Sequence, residues 1–168
     1  MRSGFHPVLL VVLLVLLLAG CRQADGPVAV PDAGTQGDLR DIQRGLQYVA
    51  SGSDPAAPAE LSADLRKYVE DEEVHAVPAV DELSQRTIAA VKGATLPEQT
   101  AQRLAHDLWL AIMAREMSDR QVETLQNDTQ SLLMSVGIAE PQAEQVAAQV
   151  GEVQRVLTRR IRRWYEWF

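Results

Sequence analysis

Residue types that carry chemistry are scarce in this sequence, which has one cysteine and three histidines in 168 residues. His75 follows the acidic run 70–73, and carboxylate and imidazole groups at such short intervals occur in metal sites. An acidic run with a single histidine is more often a solvated helix face, so we predict no metal site there. His106 and Asp107 are adjacent, and adjacent side chains on a helix point about 100° apart, which argues against an oriented catalytic pair. We expect His106 to be partly buried and hydrogen-bonded instead.

The sequence also lacks the motifs of the common reaction classes. It contains no Gly-x-Ser-x-Gly nucleophile elbow and no glycine-rich phosphate loop. No pair of carboxylates has a partner residue that would suggest acid–base catalysis. We therefore predict that the chain is not an enzyme and has no catalytic residues, no cofactor and no metal ligands.

The single cysteine, Cys21, follows an apolar run over residues 8–19. A basic start, a short apolar stretch and small residues before a cut site are typical of a secretory signal peptide. The run is too short for a transmembrane helix, because twelve helical residues span about 18 Å and the hydrocarbon layer is about 30 Å thick. We therefore predict a signal peptide over residues 1–20.

The cut site indicates a particular class of signal peptide. Leu18-Ala19-Gly20-Cys21 resembles the lipobox of bacterial lipoproteins at all four positions. The resemblance implies that cleavage falls before Cys21 and that its thiol is joined to a diacylglycerol, with further acylation of the freed amine. Two or more acyl chains anchor a protein stably in a bilayer, whereas one chain binds only marginally. Arg22, rather than Asp, follows the cysteine, which resembles lipoproteins sent to the outer membrane of diderm bacteria. We expect a lipid-anchored protein of the bacterial cell envelope.

Residues 22–37 are rich in Gly, Pro, Ala and Asp and show no helical period. With the lipidated Cys21 they make up a segment, 21–37, that we predict to be a flexible tether. Without residues 1–20 the chain loses Arg2 and keeps 15 basic against 23 acidic residues, a net charge of −8. This balance argues against nucleic acid as a partner.

From residue 38 onward the apolar residues recur every three or four positions, which predicts amphipathic helices and no strands. We expect less regular helices over 38–93, with a proline-rich break after Ser51. Over 95–168 we expect three longer antiparallel helices joined by short links. The residue pairs Thr95/Glu98 and Ser118/Gln121 have the spacing of capping boxes at helix starts. The fold predicted for 38–168 is an all-α bundle of five to six helices, with the helix after Thr95 at its centre. The apolar positions that recur in this way, and that we expect to face the core, include Leu39, Ile42, Leu46, Val49, Leu61, Leu65, Val80, Leu83, Leu104, Leu108, Ile112, Leu125, Leu132, Val146, Val150, Val153 and Leu157.

Glutamine stands in the first turn of three predicted helices, at Gln99, Gln121 and Gln142. The middle segment, 117–121, resembles the LTxxQ motif of small helical periplasmic stress chaperones. That resemblance implies a dimeric, client-binding or stress-sensing protein. The other two segments depart from the motif, and capping boxes on successive helices produce the same spacing, which is the interpretation that we favour.

The stretch 155–168 concentrates positive charge, with five arginines and one glutamate. The rest of the mature chain, 21–154, holds 10 basic and 22 acidic residues, a net charge of −12. In one interpretation the apolar residues of 155–168 dock in the bundle and the arginines pair with acids on neighbouring helices. In the other, the helix end offers Arg159, Arg163 and Trp167 to phospholipid headgroups or to an acidic partner.

The function predicted from these features is that of a membrane-anchored helical module. It would bind or scaffold an envelope protein partner, and it would contact the lipid bilayer through acylated Cys21. The alternative function is a periplasmic chaperone or envelope stress sensor of the LTxxQ type. An enzyme without a recognisable motif comes third.

Overall fold

The structure, a computed structural model, describes the backbone of residues 33–69, 71–114 and 117–165. The side chains of residues 33, 71, 72 and 158–165 are not part of the description. The predicted signal peptide over residues 1–20, the predicted lipid attachment at Cys21, and Trp167 lie outside the described residues.

The described residues form six α-helices, with one short 3-10 helix and no strand among them. The 3-10 helix, Asp71–Ala76, lies between the second and third α-helices. The prediction of an all-α bundle of five to six helices is confirmed. The α-helices are α1 (Ala33–Ser51), α2 (Ala57–Arg66), α3 (Val77–Val91), α4 (Glu98–Met113), α5 (Asp119–Ser135) and α6 (Glu140–Tyr165).

Side-chain contacts in the first half show that α1 and α2 run in opposite directions and that α3 begins where α2 ends. Just after α2, Lys67 Nζ lies 3.4 Å from Asp38 Oδ1 in the early turns of α1. In the last turn of α2, Arg66 Nη2 lies 2.7 Å from Asp81 Oδ1 near the start of α3. The start of α1, the end of α2 and the start of α3 therefore meet at one end of the bundle.

The second half alternates in the same way. Thr129 Oγ1 of α5 donates to Asp107 Oδ2 of α4 over 3.4 Å, and Gln126 Nε2 of α5 donates to the Ala147 carbonyl of α6 over 3.1 Å. Both pairs join positions on either side of a short link, which makes each pair of helices an antiparallel hairpin. The link between α5 and α6 contains Gly137 at φ +85°, a left-handed conformation that favours glycine.

The core is one apolar cluster to which all six α-helices and the 3-10 helix contribute. Helix α4 contacts α1, α2, α5 and α6, and Trp109 and Leu110 pack half-buried against the core beside its fully buried face. This position agrees with its apolar pattern, which predicts a central helix. The largest fully buried apolar side chains are Ile42, Leu46, Leu61, Leu65, Leu83, Leu104, Leu108, Ile112, Leu133 and Leu157.

The predicted boundary between tether and helix is wrong, because α1 begins at Ala33 and not at residue 38. The apolar stripe starts only at Leu39, so residues 33–37 carry no periodic signal even though they are helical. Gly34 and Gly37 add to the difficulty, since glycine is about 1 kcal/mol less favourable than alanine inside a helix.

The prediction for the start of α4 is also wrong. The helix begins at Glu98, its N-cap is Pro97, and no side chain caps it, so Thr95 does not form a capping box. Proline disfavours helical backbone in the residue before it, which prevents the helix from extending back to Leu96 and Thr95. The helix ends at Met113.

The capping box at the start of α5 is confirmed. The Ser118 amide donates to Gln121 Oε1 over 2.8 Å, and the Gln121 amide donates to Ser118 Oγ over 3.3 Å. Two of the free amides at this helix start are thereby satisfied. The Ser–x–x–Gln spacing within 117–121 thus has a local structural role in this fold.

Candidate functional site

Helix α6 carries the predicted contact residues Arg159 and Arg163, and it is longer than its neighbours. It has 26 residues, against 17 in α5, its hairpin partner. At 1.5 Å per residue the excess is about 13 Å. The bond between Gln126 and Ala147 sets a register in which Asp119, the first residue of α5, lies opposite Gln154. The turns of α6 beyond Gln154 therefore have no counterpart on α5.

Two buried glutamines attach α6 to its other neighbours by donating to backbone carbonyls. Gln149 Nε2 donates to Ala79 O at the start of α3 over 3.0 Å. Gln154, only 1% exposed, donates from Nε2 to Ala111 O over 2.7 Å and to Ala114 O over 2.8 Å. The last carbonyls of a helix have no partner within the helix, so Gln154 acts as a C-terminal cap for α4.

Sequence reasoning missed these glutamines, because an amphipathic pattern treats glutamine as a solvent-facing residue. A signal was present in the spacing. Gln149 follows Val146 by three residues and Gln154 follows Val150 by four, so both lie within the buried face of α6.

A third glutamine explains a glycine in the middle of α6. Gln126 reaches across from α5 to the Ala147 carbonyl, and its side-chain amide passes over Gly151. A Cβ atom at position 151 would lie 2.8 Å from Gln126 Cδ, closer than real Cβ contacts. Glycine at this position therefore allows the interhelical hydrogen bond.

The last described buried side chain on α6 is Leu157, which is 2% exposed. Docking of Leu157 agrees with the interpretation in which the apolar residues of this stretch pack in the bundle. Ile161 and Trp164 follow Leu157 by four and seven residues, so they lie on the same face of the helix. The apolar face of α6 thus continues, as helical backbone, past the level at which α5 begins.

The sequence spacing predicts a second, arginine-bearing face in the same turns. Arg155 is exposed and pairs with Glu152 on its own helix, with Nε 2.7 Å from Oε2. Arg159 and Arg163 follow Arg155 by four and eight residues, which places them on its face of the helix. The backbone at positions 159 and 163 belongs to the continuous helix α6, and Trp167 lies outside the described residues.

The 3-10 helix contains Asp71, Glu72 and Glu73, and it contacts α6. His75 in the same helix is exposed, and no group of three or more metal-ligating residues is assembled in the described parts of the chain.

The end of α2 adds a half-buried ionic cluster at the same end of the bundle. Lys67 Nζ lies 3.3 Å from Asp64 Oδ1 and 3.4 Å from Asp38 Oδ1, and 5.1 Å from the centre of the Tyr68 ring. Burial raises the pKa of Tyr68 to about 12, although the nearby Lys67 ammonium acts in the opposite direction. Burial alone would lower the pKa of Lys67, but the Tyr68 hydroxyl and the Asp64 carboxylate outweigh it and raise that pKa.

The second histidine does not form a catalytic pair. The His106 side chain is 37% exposed, and its Nδ1 lies 3.8 Å from Asp107 Oδ1. That distance is too long for a hydrogen bond, so Asp107 does not orient the imidazole. Asp107 accepts a bond from Thr129 instead, which gives it a role in packing α4 against α5.

No helix in the described part of the chain is both long enough and apolar enough to span a membrane. Comparison with protein-family models, with curated proteins and with solved structures gave no match for this chain.

Proposed function

We propose that this chain is a lipid-anchored protein of the bacterial cell envelope whose helical bundle binds or scaffolds a protein partner. The anchor is the acylated thiol of Cys21, on the strength of the Leu18-Ala19-Gly20-Cys21 sequence. The contact surface is the end of α6, with Arg159, Arg163 and Trp167 as its central residues.

The observation that carries this proposal is the last part of α6, residues 158–165, which follows Leu157 and extends past the start of α5; we call it the overhang. Its buried glutamines and Leu157 fix the helix in the bundle, while its backbone continues as helix to Tyr165. The overhang holds four arginines, at positions 159, 160, 162 and 163, on a chain that is otherwise strongly acidic. Arginine and tryptophan together are enriched where proteins bind one another and at membrane interfaces. A rigid support for such residues is what a binding module needs.

Mass spectrometry of the protein purified from bacterial membranes tests the anchor. We expect a chain that begins at Cys21 and carries a diacylglycerol on the thiol. Retention of residues 1–20, or an unmodified Cys21, would contradict the envelope assignment.

A pull-down with the lipidated protein tests the binding surface. We expect one defined envelope protein to be captured by the full chain and lost from a chain that ends at Thr158. A double substitution away from this end, Lys92→Gln with Arg103→Gln, removes two positive charges from exposed positions and should leave capture unchanged.

The full chain and the chain that ends at Thr158 also distinguish the binding module from the chaperone alternative. If both chains suppress the aggregation of many unfolded clients equally well, the protein acts as a chaperone of the LTxxQ type. If the purified, metal-free protein converts an envelope substrate, it is an enzyme and the binding-module proposal is wrong.

A further inference from the structure

Helix α1 consists of two parts that differ in burial. From Ile42 onward its apolar side chains enter the core, and Ile42 and Leu46 are fully buried. None of residues 34–41 is buried, and Leu39, the one large apolar residue among them, is only half-buried. We call residues 34–41, about two turns of helix, the N-terminal segment of α1. This segment lacks the burial that holds the rest of α1 in the bundle.

Two glycines of α1 show the same difference. A Cβ atom at Gly45 would lie 3.3 Å from the Leu61 side chain, so α1 and α2 approach each other closely at that level. A Cβ atom at Gly37 would have nothing within 4 Å. The N-terminal segment is therefore open to solvent at Gly37, where no neighbouring helix packs against it.

The sequence of the segment does little to stabilise a helix by itself. It contains Gly34 and Gly37, and a glycine inside a helix is disfavoured roughly fivefold relative to alanine. The first turn of α1 has no acidic residue that would interact favourably with the positive end of the helix dipole. Exposed helical turns with few buried contacts open locally while the rest of a protein stays folded.

Lys67 supplies an ion pair between the N-terminal segment and the end of α2. Its Nζ lies 3.4 Å from Asp38 Oδ1 in the segment and 3.3 Å from Asp64 Oδ1 on α2. The backbone at Lys67 is fixed, because its amide donates to the Ala63 carbonyl over 3.0 Å and Leu65 beside it is fully buried. The lysine therefore presents its charge to Asp38 from a part of the bundle that is firmly packed.

Tyr68 lies next to this ion pair. Its ring centre is 5.1 Å from Lys67 Nζ, and its hydroxyl oxygen is buried. Burial raises the pKa of Tyr68 to about 12, and the Asp38 carboxylate acts in the same direction, which places the hydroxyl beside the N-terminal segment. Opening of the segment removes Asp38 from Tyr68 and gives solvent access to the hydroxyl.

We propose that the N-terminal segment of α1 unfolds and refolds locally on the folded bundle, that the ion pair between Lys67 and Asp38 holds it in place, and that its opening uncovers Tyr68. The motion responds to ionic strength, because both side chains are partly exposed, Lys67 at 40% and Asp38 at 37%, and salt screens exposed charge pairs. Neither the anchor nor the contact surface of the proposed function takes part in this motion.

Hydrogen exchange of the purified full chain, followed by mass spectrometry of overlapping peptides, tests this proposal. The amides of residues 38–41 should exchange roughly 100-fold faster than those of residues 46–50, because only the latter lie in the buried part of α1. Lys67→Gln should speed exchange at 38–41 about threefold, the effect of an exposed ion pair, and leave 46–50 unchanged. Because Lys67 lies outside α1, this substitution does not alter the helix propensity of the segment.

Gly37→Ala should act in the opposite direction. The added methyl group meets no neighbour, and alanine should slow exchange at 38–41 about fivefold. The same variant should slow nitration of Tyr68 by tetranitromethane relative to nitration of the exposed Tyr48. Added salt should speed exchange at 38–41 in the parent chain and have no such effect in Lys67→Gln.

Asp64→Asn is the matched control, because it removes the other carboxylate beside Lys67 and leaves the pair with Asp38 intact. It should not speed exchange at 38–41. Equal exchange at 38–41 and 46–50 in the parent chain would show that α1 opens as one unit and would overturn the proposal. So would an absent effect of Lys67→Gln, or the same increase at 38–41 after Asp64→Asn as after Lys67→Gln.

Discussion

The contact between Gln126 and Gly151 balances two effects of similar size. Alanine in place of glycine inside a helix gains about 1 kcal/mol. At position 151 the new Cβ would displace the Gln126 amide and weaken its bond to the Ala147 carbonyl, and such a bond contributes about 1 kcal/mol. We therefore expect Gly151→Ala to change the free energy of unfolding by less than about 0.5 kcal/mol in the native chain.

The energetic coupling between Gln126 and Gly151 can be measured by replacing Gln126 first. In a Gln126→Ala background the obstacle is gone, and Gly151→Ala should stabilise the protein by about 1 kcal/mol. Urea unfolding of the four proteins of this double-mutant cycle measures the difference. Equal effects of Gly151→Ala in both backgrounds would show that Gln126 does not require the glycine.

The Tyr68 hydroxyl predicts a loss of stability at alkaline pH. Its pKa is raised from 10.0 to about 12 in the folded protein, so the folded state holds the phenolic proton more tightly than the unfolded state does. The resulting stabilisation is complete below pH 10 and is lost as the pH rises through about 12. The raised pKa of Lys67 acts in the same direction, because its proton is also held more tightly on folding.

Absorbance of tyrosinate during an alkaline titration measures this shift. We expect a late step near pH 12 that is missing in Tyr68→Phe and retained in Tyr48→Phe. Urea unfolding across the same range should show a decline in stability that is smaller in Tyr68→Phe. A titration of Tyr68 at its ordinary pKa of 10.0 would contradict the burial of its hydroxyl.

At the scale of the element, the two proposed capping boxes differ in the structure and should differ in energy. Ser118 caps α5 through its hydroxyl, and replacement of such a cap by alanine costs about 1 kcal/mol. Thr95 lies before the N-cap of α4 and caps nothing. We therefore expect Ser118→Ala to lower the free energy of unfolding by about 1 kcal/mol, and Thr95→Ala to change it by less than about 0.5 kcal/mol. Thermal or urea unfolding distinguishes the two.

The apolar spacing predicts the helices well because burial in this fold follows helical periodicity. Ile42, Leu46, Leu61 and Leu65 are predicted core positions and are fully buried. Helix ends are predicted less well, since they depend on single residues, such as prolines and capping side chains, that do not change the apolar spacing. Proline at position 97 moves a helix start that the Thr95 spacing alone placed too early.

The geometry of the candidate site was only partly accessible from the sequence. The charge of Arg159 and Arg163 is visible in the residues themselves. How far these positions extend past the start of α5 depends on the register that Gln126 and Ala147 set between the two helices. Such a register follows from side-chain packing, which sequence spacing does not specify. The same holds for Gln154, whose polar side chain is buried because it meets the unpaired carbonyls at the end of α4.

At the scale of the whole molecule, the bundle should not depend on the overhang for its stability. Leu157 is the last described buried residue, so a chain that ends at Thr158 keeps the described core. We expect its free energy of unfolding to lie within about 0.5 kcal/mol of the full chain. A loss of more than about 2 kcal/mol, the size expected for removal of large core side chains, would show that Ile161 and Trp164 belong to the core.

The return of α6 to the end where α1 begins depends on the parity of the helix count. Insertion or deletion of one helix of average length would send the end of α6 to the far side, about 20 Å from the start of α1. Insertion of a whole hairpin would restore it to the near side. Changes of helix number that keep the two ends of the bundle chain on one side should therefore come in pairs.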